Sequence, residues 1–223
     1  MFTYVTDDYV LDRQNELLLS KIHRFNIKKR LINCLSKTQY FFTICDRMKN
    51  IYKKLFNKES FVIVNRTEDL FDKEYSDKSK NNLEQVFLYA GNLYYGRDQI
   101  LVKLANSIKK FNDEFSKTRK KAKLHIYSYS FIKRNILKEL MDTEVVSIFN
   151  GISFSNLRIK LNLCNFPVFV ESFDKYMIEK TRLSFSTKII EYFSISKPIL
   201  AIRPKGIGSM YHKQIKLLYL FMI

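Results

Sequence analysis

Hydrophobic positions in the first part of the chain form two short runs on either side of a helical pattern. The runs at 40–44 and 61–64 each predict a short buried strand. Between them, a helix is predicted over 46–56, because one face of it would carry Met48, Ile51, Tyr52 and Leu55. Residues 1–66 thus predict α/β structure with few strands.

From residue 85 onward, apolar runs and helical patterns alternate regularly. The runs predict strands at 86–90, 124–128, 145–149, 168–170 and 198–202. The segments between them predict helices around 100–108, 131–141, 155–163 and 187–193. This alternation is typical of βαβ units, so we expect a parallel, Rossmann-like sheet with helices on both faces and 86–90 as a central strand.

A polar and charged segment at 67–84 separates these two parts and predicts a linker; a long surface loop inside one domain is the alternative. The prediction is therefore a partial N-terminal domain at 1–66 and an α/β domain at 85–223. Residues 1–66 offer too few strands for a complete domain, and residues 217–223 end the chain in an apolar run. We expect a truncated or split coding region, with a partner chain as the alternative.

The charge of the chain points to anionic partners. It has 39 Lys and Arg against 22 Asp and Glu, a net charge of +17, and 46% hydrophobic residues, which excludes disorder as the main state. Nucleic acid, nucleotide diphosphates and an anionic membrane all fit this charge. Three scattered cysteines and three scattered histidines predict neither a disulfide framework nor a metal site. A signal peptide and a membrane-spanning run are absent from the sequence, so we expect a cytoplasmic protein.

The loop after the predicted strand 86–90 carries candidate ligand-binding residues. Gly91 and Gly96 let the backbone approach a ligand, and Asn92 lies between them. Arg97 lies at the start of a helix, where free N–H groups already favour an anion, and Asp98 is a candidate N-cap. The spacing matches neither a dinucleotide fingerprint nor a P-loop, so a plain strand-to-helix turn remains the alternative.

A second group of candidates surrounds the start of the predicted helix 187–193. Ser186 and Thr187 begin it, and Lys188 lies in its first turn, where a positive charge is unfavourable unless an anion binds. Glu191 follows one turn later on the same face, where its carboxylate would accept two hydrogen bonds from a ribose diol. A simple surface ion pair is the alternative. Glu171, after the strand 168–170, is a further carboxylate at a strand end.

Taken in order, the segments 89–99, 168–174 and 185–200 resemble glycosyltransferases of the GT-B type, in the broad glycosyltransferase 4 (group 1) family. The segment 42–48 is similar to the end of the acceptor-side domain of that family, with Cys45 where Ser is common. The resemblance implies that the chain holds the end of this N-terminal domain and most of the C-terminal, nucleotide-sugar-binding domain.

The resemblance also implies roles for the candidate residues. The donor would be bound by Gly91, Asn92, Arg97, Ser186, Thr187, Lys188 and Glu191. Glu191 would hold the ribose, and Arg97 and Lys188 would face the diphosphate and stabilise the leaving group. No metal or cofactor is implied, and no catalytic residue is assigned. Two positions depart from the family. The family often has two glutamates, of which Glu191 matches the second, but Leu183 stands at the position of the first, so that its role is missing or has moved to Glu171. Ser196 stands where the family usually has Gly.

The implied function is transfer of a sugar from a nucleotide sugar to a glycan or lipid-linked acceptor in cell-surface polysaccharide or glycoconjugate assembly, with peripheral membrane association as an option. A non-catalytic remnant and a basic nucleic-acid-binding module are the alternatives. The basic run at 117–123 favours the nucleic-acid-binding module. However, this run lies between a predicted helix and a predicted strand, where a solvated connection is usual, so we expect no nucleic-acid partner. We expect this chain alone to be a poor catalyst, because a GT-B active site lies between two domains.

Overall fold

The computed structural model of the chain contains two units, each made of residues that contact one another. The residues that it describes are 1–11, 17–64, 83–115, 119–184, 186–204 and 218–219. The first unit holds residues 1–11, 17–64, 174–184 and 186–187, and the second holds 83–115, 119–173, 188–204 and 218–219. Of the predicted linker, only residues 83–84 are described, so the predicted domain boundaries stay a prediction.

The first unit is built on a three-stranded parallel sheet of order β1-β2-β3. Its elements are β1 (Phe2–Val5), α1 (Leu18–Ser36), β2 (Tyr40–Thr43), α2 (Asp46–Phe56) and β3 (Phe61–Val62). Phe41 of β2 packs in the core with Met48 and Tyr52, which lie one turn apart on α2. The α2 helix begins as predicted, because the sulfur of Cys45 accepts a hydrogen bond from the Met48 N–H at 3.3 Å and so caps it, as a serine oxygen would.

The second part of the chain alternates strands and helices, as the sequence predicts. Its elements are β4 (Gln85–Ala90), α3 (Arg97–Phe115), β5 (Ala122–Ser128), α4 (Arg134–Met141), β6 (Val146–Asn150), α5 (Phe154–Leu163), β7 (Phe166–Val170), α6 (Lys175–Thr181), α7 (Thr187–Ser194), β8 (Leu200–Ile202) and β9 (Leu218–Tyr219). Of these, α6 belongs to the first unit. Because α3 already begins at Arg97, Asp98 lies inside its first turn, and the prediction of Asp98 as the N-cap is wrong.

The strands of the second unit form one parallel sheet of order β6-β5-β4-β7-β8-β9. The α/β class is therefore confirmed, and β4 is the central strand that was predicted, with β5 and β7 as its neighbours. The core of this unit includes Leu101 of α3, Leu124 and Ile126 of β5, and Leu140 of α4, all fully buried. Successive strands are added first on one side of β4 and then, from β7 onward, on the other.

Candidate functional site

The strand order reverses between β4 and β7, so the switch point of the sheet lies at their carboxyl ends. Open parallel sheets bind ligands in the crevice outside the strand ends at such a point. The loop 91–96 leaves β4 there, Glu171 follows β7, and α7 contributes Lys188. Three sequence segments that are far apart along the chain thus meet at one edge of the sheet.

The loop after β4 is held in place by hydrogen bonds at its base. The Gly91 N–H donates to the Tyr127 carbonyl at 3.0 Å, which extends the pairing of β4 with β5. The hydroxyl of the buried Tyr89 donates to the Asn92 carbonyl at 2.5 Å. Gly96 has a φ of +78°, a conformation that favours glycine, and the chain turns there into α3. The backbone of the loop is therefore fixed before any ligand binds.

Arg97 connects this loop to the end of β7. Its Nη1 donates to Asn92 Oδ1 at 3.1 Å, and its Nε donates to the Val170 carbonyl at 3.3 Å. Its Nη2 lies 3.6 Å from Glu171 Oε2, and the two side chains are only 11% and 15% exposed. The guanidinium is thus held rigidly at the switch point, with one carboxylate beside it.

Lys188 reaches the same edge from the first turn of α7. Its Nζ donates to the carbonyl of Ala90, the last residue of β4, at 2.9 Å, and lies 6.0 Å from the centre of the Tyr89 ring. A Cβ added to Gly91 would lie 2.3 Å from this Nζ. Glycine at position 91 therefore makes room for the ammonium group.

Several charged groups act on one another in this buried environment. Burial lowers the pKa of Lys188, and the positive charge of Arg97 lowers it further. Burial raises the pKa of Glu171, against the charges of Arg97, Lys188 and Arg203. Burial likewise raises the pKa of Glu191, against the charge of Lys188. Three cations therefore face two carboxylates, and this excess of positive charge favours an anionic ligand.

A cleft of about 370 Å³ opens beside this charge cluster. It is lined by residues that follow β4, β5 and β6, among them Gly91, Asn92, Tyr129 and Gly151, and by Lys188. A Cβ on Gly151 would lie 2.1 Å from ring atoms of Tyr129, so glycine lets this exposed ring lie against the backbone. The cleft is therefore lined by an aromatic ring and by a cation.

The structure brings some of the predicted site residues together. Gly91, Asn92 and Lys188 line the cleft, whereas Arg97 and Glu191 lie outside its lining. Arg97 nevertheless bonds to Asn92, and Glu191 interacts electrostatically with Lys188.

Two further predicted donor ligands lie in the first unit. Thr187 is the exposed first residue of α7, and the partly buried Ser186 precedes it. Residues of the charge cluster and cleft that the sequence analysis missed include Arg203, Tyr129 and Gly151. Each directly follows a strand of the sheet, a position that could have marked it.

The first unit has a cleft of its own, of about 330 Å³. The α1 helix lines one wall, with His23 and the buried Arg24, and Tyr9 and Tyr176 also contribute. The cleft thus offers two aromatic rings and two nitrogen-bearing side chains.

The described ranges hold neither a metal-binding group nor a membrane-spanning helix. None of their His, Cys, Asp and Glu side chains form a group of three that could hold a metal ion. Among the helices described, none has the length and apolar character needed to cross a membrane.

No protein-family model and no curated protein sequence matches the chain. Solved structures do match it. TarM of S. aureus, as a variant in complex with Fondaparinux, alpha-GlcNAc-glycerol and UDP, aligns with a TM-score of 0.58 and 15% identity, over 90% of this chain and 36% of its own. WaaG, a glycosyltransferase involved in lipopolysaccharide biosynthesis, aligns with a TM-score of 0.60 and 9% identity, over 99% of this chain and 61% of its own.

A third match is sucrose-phosphate synthase from Thermosynechococcus elongatus, with a TM-score of 0.56, 13% identity and coverage of 87% of this chain and 48% of its own. The chain has the fold of GT-B glycosyltransferases. The resemblance in the sequence is thereby confirmed at the level of the fold. This GT-B chain spans 36% to 61% of the length of these three structures.

Proposed function

We propose that this GT-B chain acts in sugar transfer, from a nucleotide-sugar donor to a glycan or lipid-linked acceptor, in the assembly of cell-surface polysaccharide or glycoconjugates. The observation that carries the proposal is the buried cluster of Arg97, Lys188 and Glu171 at the switch point of the second sheet. The names of the matched structures support it, because TarM is recorded with UDP and WaaG as an enzyme of lipopolysaccharide biosynthesis.

The donor diphosphate would bind between Arg97 and Lys188. Both cations are held by hydrogen bonds to the backbone at the ends of β7 and β4, so neither has to reorganise when charge develops on the leaving nucleotide. Such pre-oriented charges stabilise a leaving group strongly where water is excluded. Ser186 and Thr187, which precede Lys188 in the chain, stay predicted donor ligands.

The nucleoside would extend from Lys188 into the cleft beside it. A volume of about 370 Å³ lies in the range of small-molecule sites, and the ring of Tyr129 offers a flat apolar wall. Glu191 lies one turn after Lys188 on α7, and its carboxylate would accept hydrogen bonds from the ribose hydroxyls. Gly91 and Asn92 would contact the donor through their backbone.

Glu171 would change partner when the donor binds. In the free protein it balances Arg97, but the diphosphate brings two or more negative charges to the same guanidinium. The raised pKa of Glu171 supports uptake of a proton at that moment, after which the carboxyl group would donate a hydrogen bond to an oxygen of the donor. We assign Glu171 to positioning the donor and leave the catalytic group open.

The acceptor would bind to the first unit. Its cleft carries Tyr9 and Tyr176, whose rings would pack against a sugar, and His23 and Arg24, which would bond its hydroxyl groups or a phosphate. We further propose that the protein works in the cytoplasm, without a metal ion, and associates peripherally with membrane.

Calorimetric titration of UDP, GDP and ADP into the purified chain tests the donor site. We expect one diphosphate to bind, and Lys188→Ala to weaken it about tenfold or more, the scale of a lost charge-assisted hydrogen bond. Lys103→Ala is the matched control, because Lys103 is an exposed lysine on α3. Equal affinities for wild type and Lys188→Ala would contradict the site. Hydrolysis of the bound nucleotide sugar would further exclude a non-catalytic remnant.

A further inference from the structure

Exposed aromatic rings surround the carboxyl edge of the second unit's sheet. Four loops lie there: 91–96 after β4, 129–133 after β5, 151–153 after β6 and 171–173 after β7. Together with the first residue of α5, they expose six large hydrophobic side chains, and all six are aromatic. These are Tyr94, Tyr95, Tyr129, Phe131, Phe154 and Phe173, which are 37% to 83% exposed. Tyr129 is already assigned to the nucleoside, and the other five form what we call the aromatic rim.

The backbone holds Tyr95 of this rim in a fixed position. Its φ is +59°, a left-handed conformation that residues other than glycine rarely adopt. The hydroxyl of the buried Ser172, in the loop after β7, donates to the Tyr95 carbonyl at 2.6 Å. The Leu93 N–H donates to Ser130 Oγ at 3.0 Å, which ties the loops after β4 and β5 together. Strained residues of this kind cluster at ligand-binding sites, and a pre-oriented ring lowers the entropic cost of binding.

The four loops carry almost no net charge, unlike the chain as a whole. They contain one basic residue, Lys133, and one acidic residue, Glu171, whereas the chain has a net charge of +17. Arg97 and Lys188 adjoin the loops, but both belong to the charge cluster and are held by backbone carbonyls. An anionic membrane or a nucleic acid would need a surplus of exposed cations beside the rings. The aromatic rim therefore favours an uncharged ligand.

Polar groups interrupt the aromatic rim. A cleft with Asn92 and Ser130 in its lining opens between the loops after β4 and β5, so the rings form no single apolar patch. A protein partner would have to bury a continuous patch from which water is excluded. A saccharide suits the mixture, because the C–H groups on the flat face of a sugar ring pack on the negative face of an aromatic ring. Its hydroxyl groups would bond to the polar groups between the rings.

We propose that the aromatic rim binds an uncharged oligosaccharide. Neighbouring strands lie about 4.8 Å apart, so the loops of the four adjacent strands β6, β5, β4 and β7 spread over about 14 Å. One sugar ring is too small to reach all four loops, whereas a chain of several sugars spans them. The rim belongs to the second unit, and the cleft proposed for the acceptor belongs to the first. This binding is therefore a further function, and it does not rest on sugar transfer.

Calorimetric titration of neutral malto-, cello- and chito-oligosaccharides, from the disaccharide to the hexasaccharide, tests the proposal. We expect at least one series to bind, with an affinity that rises with chain length at least as far as the trisaccharide. Tyr95→Ala and Phe131→Ala should each weaken the Kd about two- to tenfold, the scale of one lost aromatic contact. Tyr95→Phe should keep the wild-type Kd, because the ring remains.

Two further variants separate binding from folding. Tyr95→Gly should melt close to the wild-type temperature, because relief of the strained φ offsets the greater freedom of glycine in the unfolded chain. The same variant should nevertheless lose as much oligosaccharide affinity as Tyr95→Ala. Phe25→Ala is the matched control and should bind like wild type, because Phe25 is an exposed aromatic residue of the first unit.

Three outcomes would overturn the proposal: no binding of any of these oligosaccharides, equal Kd values for wild type and Tyr95→Gly, or a loss of the same size in Phe25→Ala. Sedimentation that finds a wild-type dimer and a monomeric double variant, Tyr95→Ala with Phe131→Ala, would assign the aromatic rim to a second copy instead. UDP titration is the independent readout. Oligosaccharide binding without UDP binding would reject the proposed function and leave the binding by the rim in place.

Discussion

Gly91→Ala is expected to damage the donor site while leaving the fold intact. The new methyl group would lie 2.3 Å from Lys188 Nζ, so the ammonium must leave its hydrogen bond to the Ala90 carbonyl. The φ of Gly91 lies outside the left-handed region, so the backbone tolerates alanine and gains about 0.4–1 kcal/mol through the unfolded state. The lost charge-assisted hydrogen bond costs about 1.5–3 kcal/mol, so we expect a net destabilisation of about 1–2 kcal/mol.

The effect on UDP binding should be of similar size, because Lys188 no longer lies where the diphosphate is expected. A loss of about 1.4–2.8 kcal/mol corresponds to a 10- to 100-fold weaker Kd. A double-mutant cycle provides the control: in the Lys188→Ala background, Gly91→Ala should change UDP affinity by less than about 0.5 kcal/mol. Calorimetry on the four proteins measures this. Additive effects of the two substitutions, or wild-type affinity in Gly91→Ala, would refute the reasoning.

Three further predictions concern the same charges. Glu171→Gln should lower the Tm of the free protein, because Arg97 loses its counter-charge. The same variant should bind UDP about five- to tenfold more tightly, since no carboxylate competes for the guanidinium. Weaker UDP binding by this variant would contradict the prediction. Because the pKa of Lys188 is lowered from its ordinary value of 10.5, its side chain loses its charge at a lower pH than a free lysine does. The UDP affinity of the wild type should therefore fall as the pH rises through this alkaline range. In a calorimetric pH series, Lys188→Arg should keep a constant UDP affinity over the same range, because arginine stays charged. Glu191→Ala should weaken UDP binding by about 1–3 kcal/mol but leave 2′-deoxy-UDP less affected; equal losses for both ligands would remove the ribose contact.

The sequence predicted the second sheet well because its strands are buried on both faces. Continuous apolar runs such as the one in β4 are typical of that setting, and glycine or polar residues mark where they end. The β8 strand begins at Leu200, two residues after Pro198, because proline has no N–H for the strand ladder.

The first unit was harder to predict. The sequence analysis assigned no strand to Phe2–Val5 and no helix to Leu18–Ser36. Alternate residues of β1 are exposed. The α1 helix has exposed as well as core-facing apolar side chains, and its N-cap residue, Leu17, makes no side-chain hydrogen bond, so neither element gives the usual signal. In the segment 171–174, Glu171 joins the charge cluster, whereas Asp174 caps α6 by accepting a hydrogen bond from the Met177 N–H at 3.0 Å. The different roles of these two carboxylates become visible only when it is known where β7 ends and where α6 begins.

The central claim is that a nucleoside diphosphate binds at the carboxyl ends of β4 and β7. A crystal structure of the chain with UDP tests it most directly. We predict phosphate oxygens within about 2.7–3.2 Å of Lys188 Nζ and an Arg97 nitrogen, with the nucleoside in the cleft beside Tyr129. UDP bound elsewhere, with no phosphate oxygen close to Lys188 Nζ or to Arg97, would contradict the account.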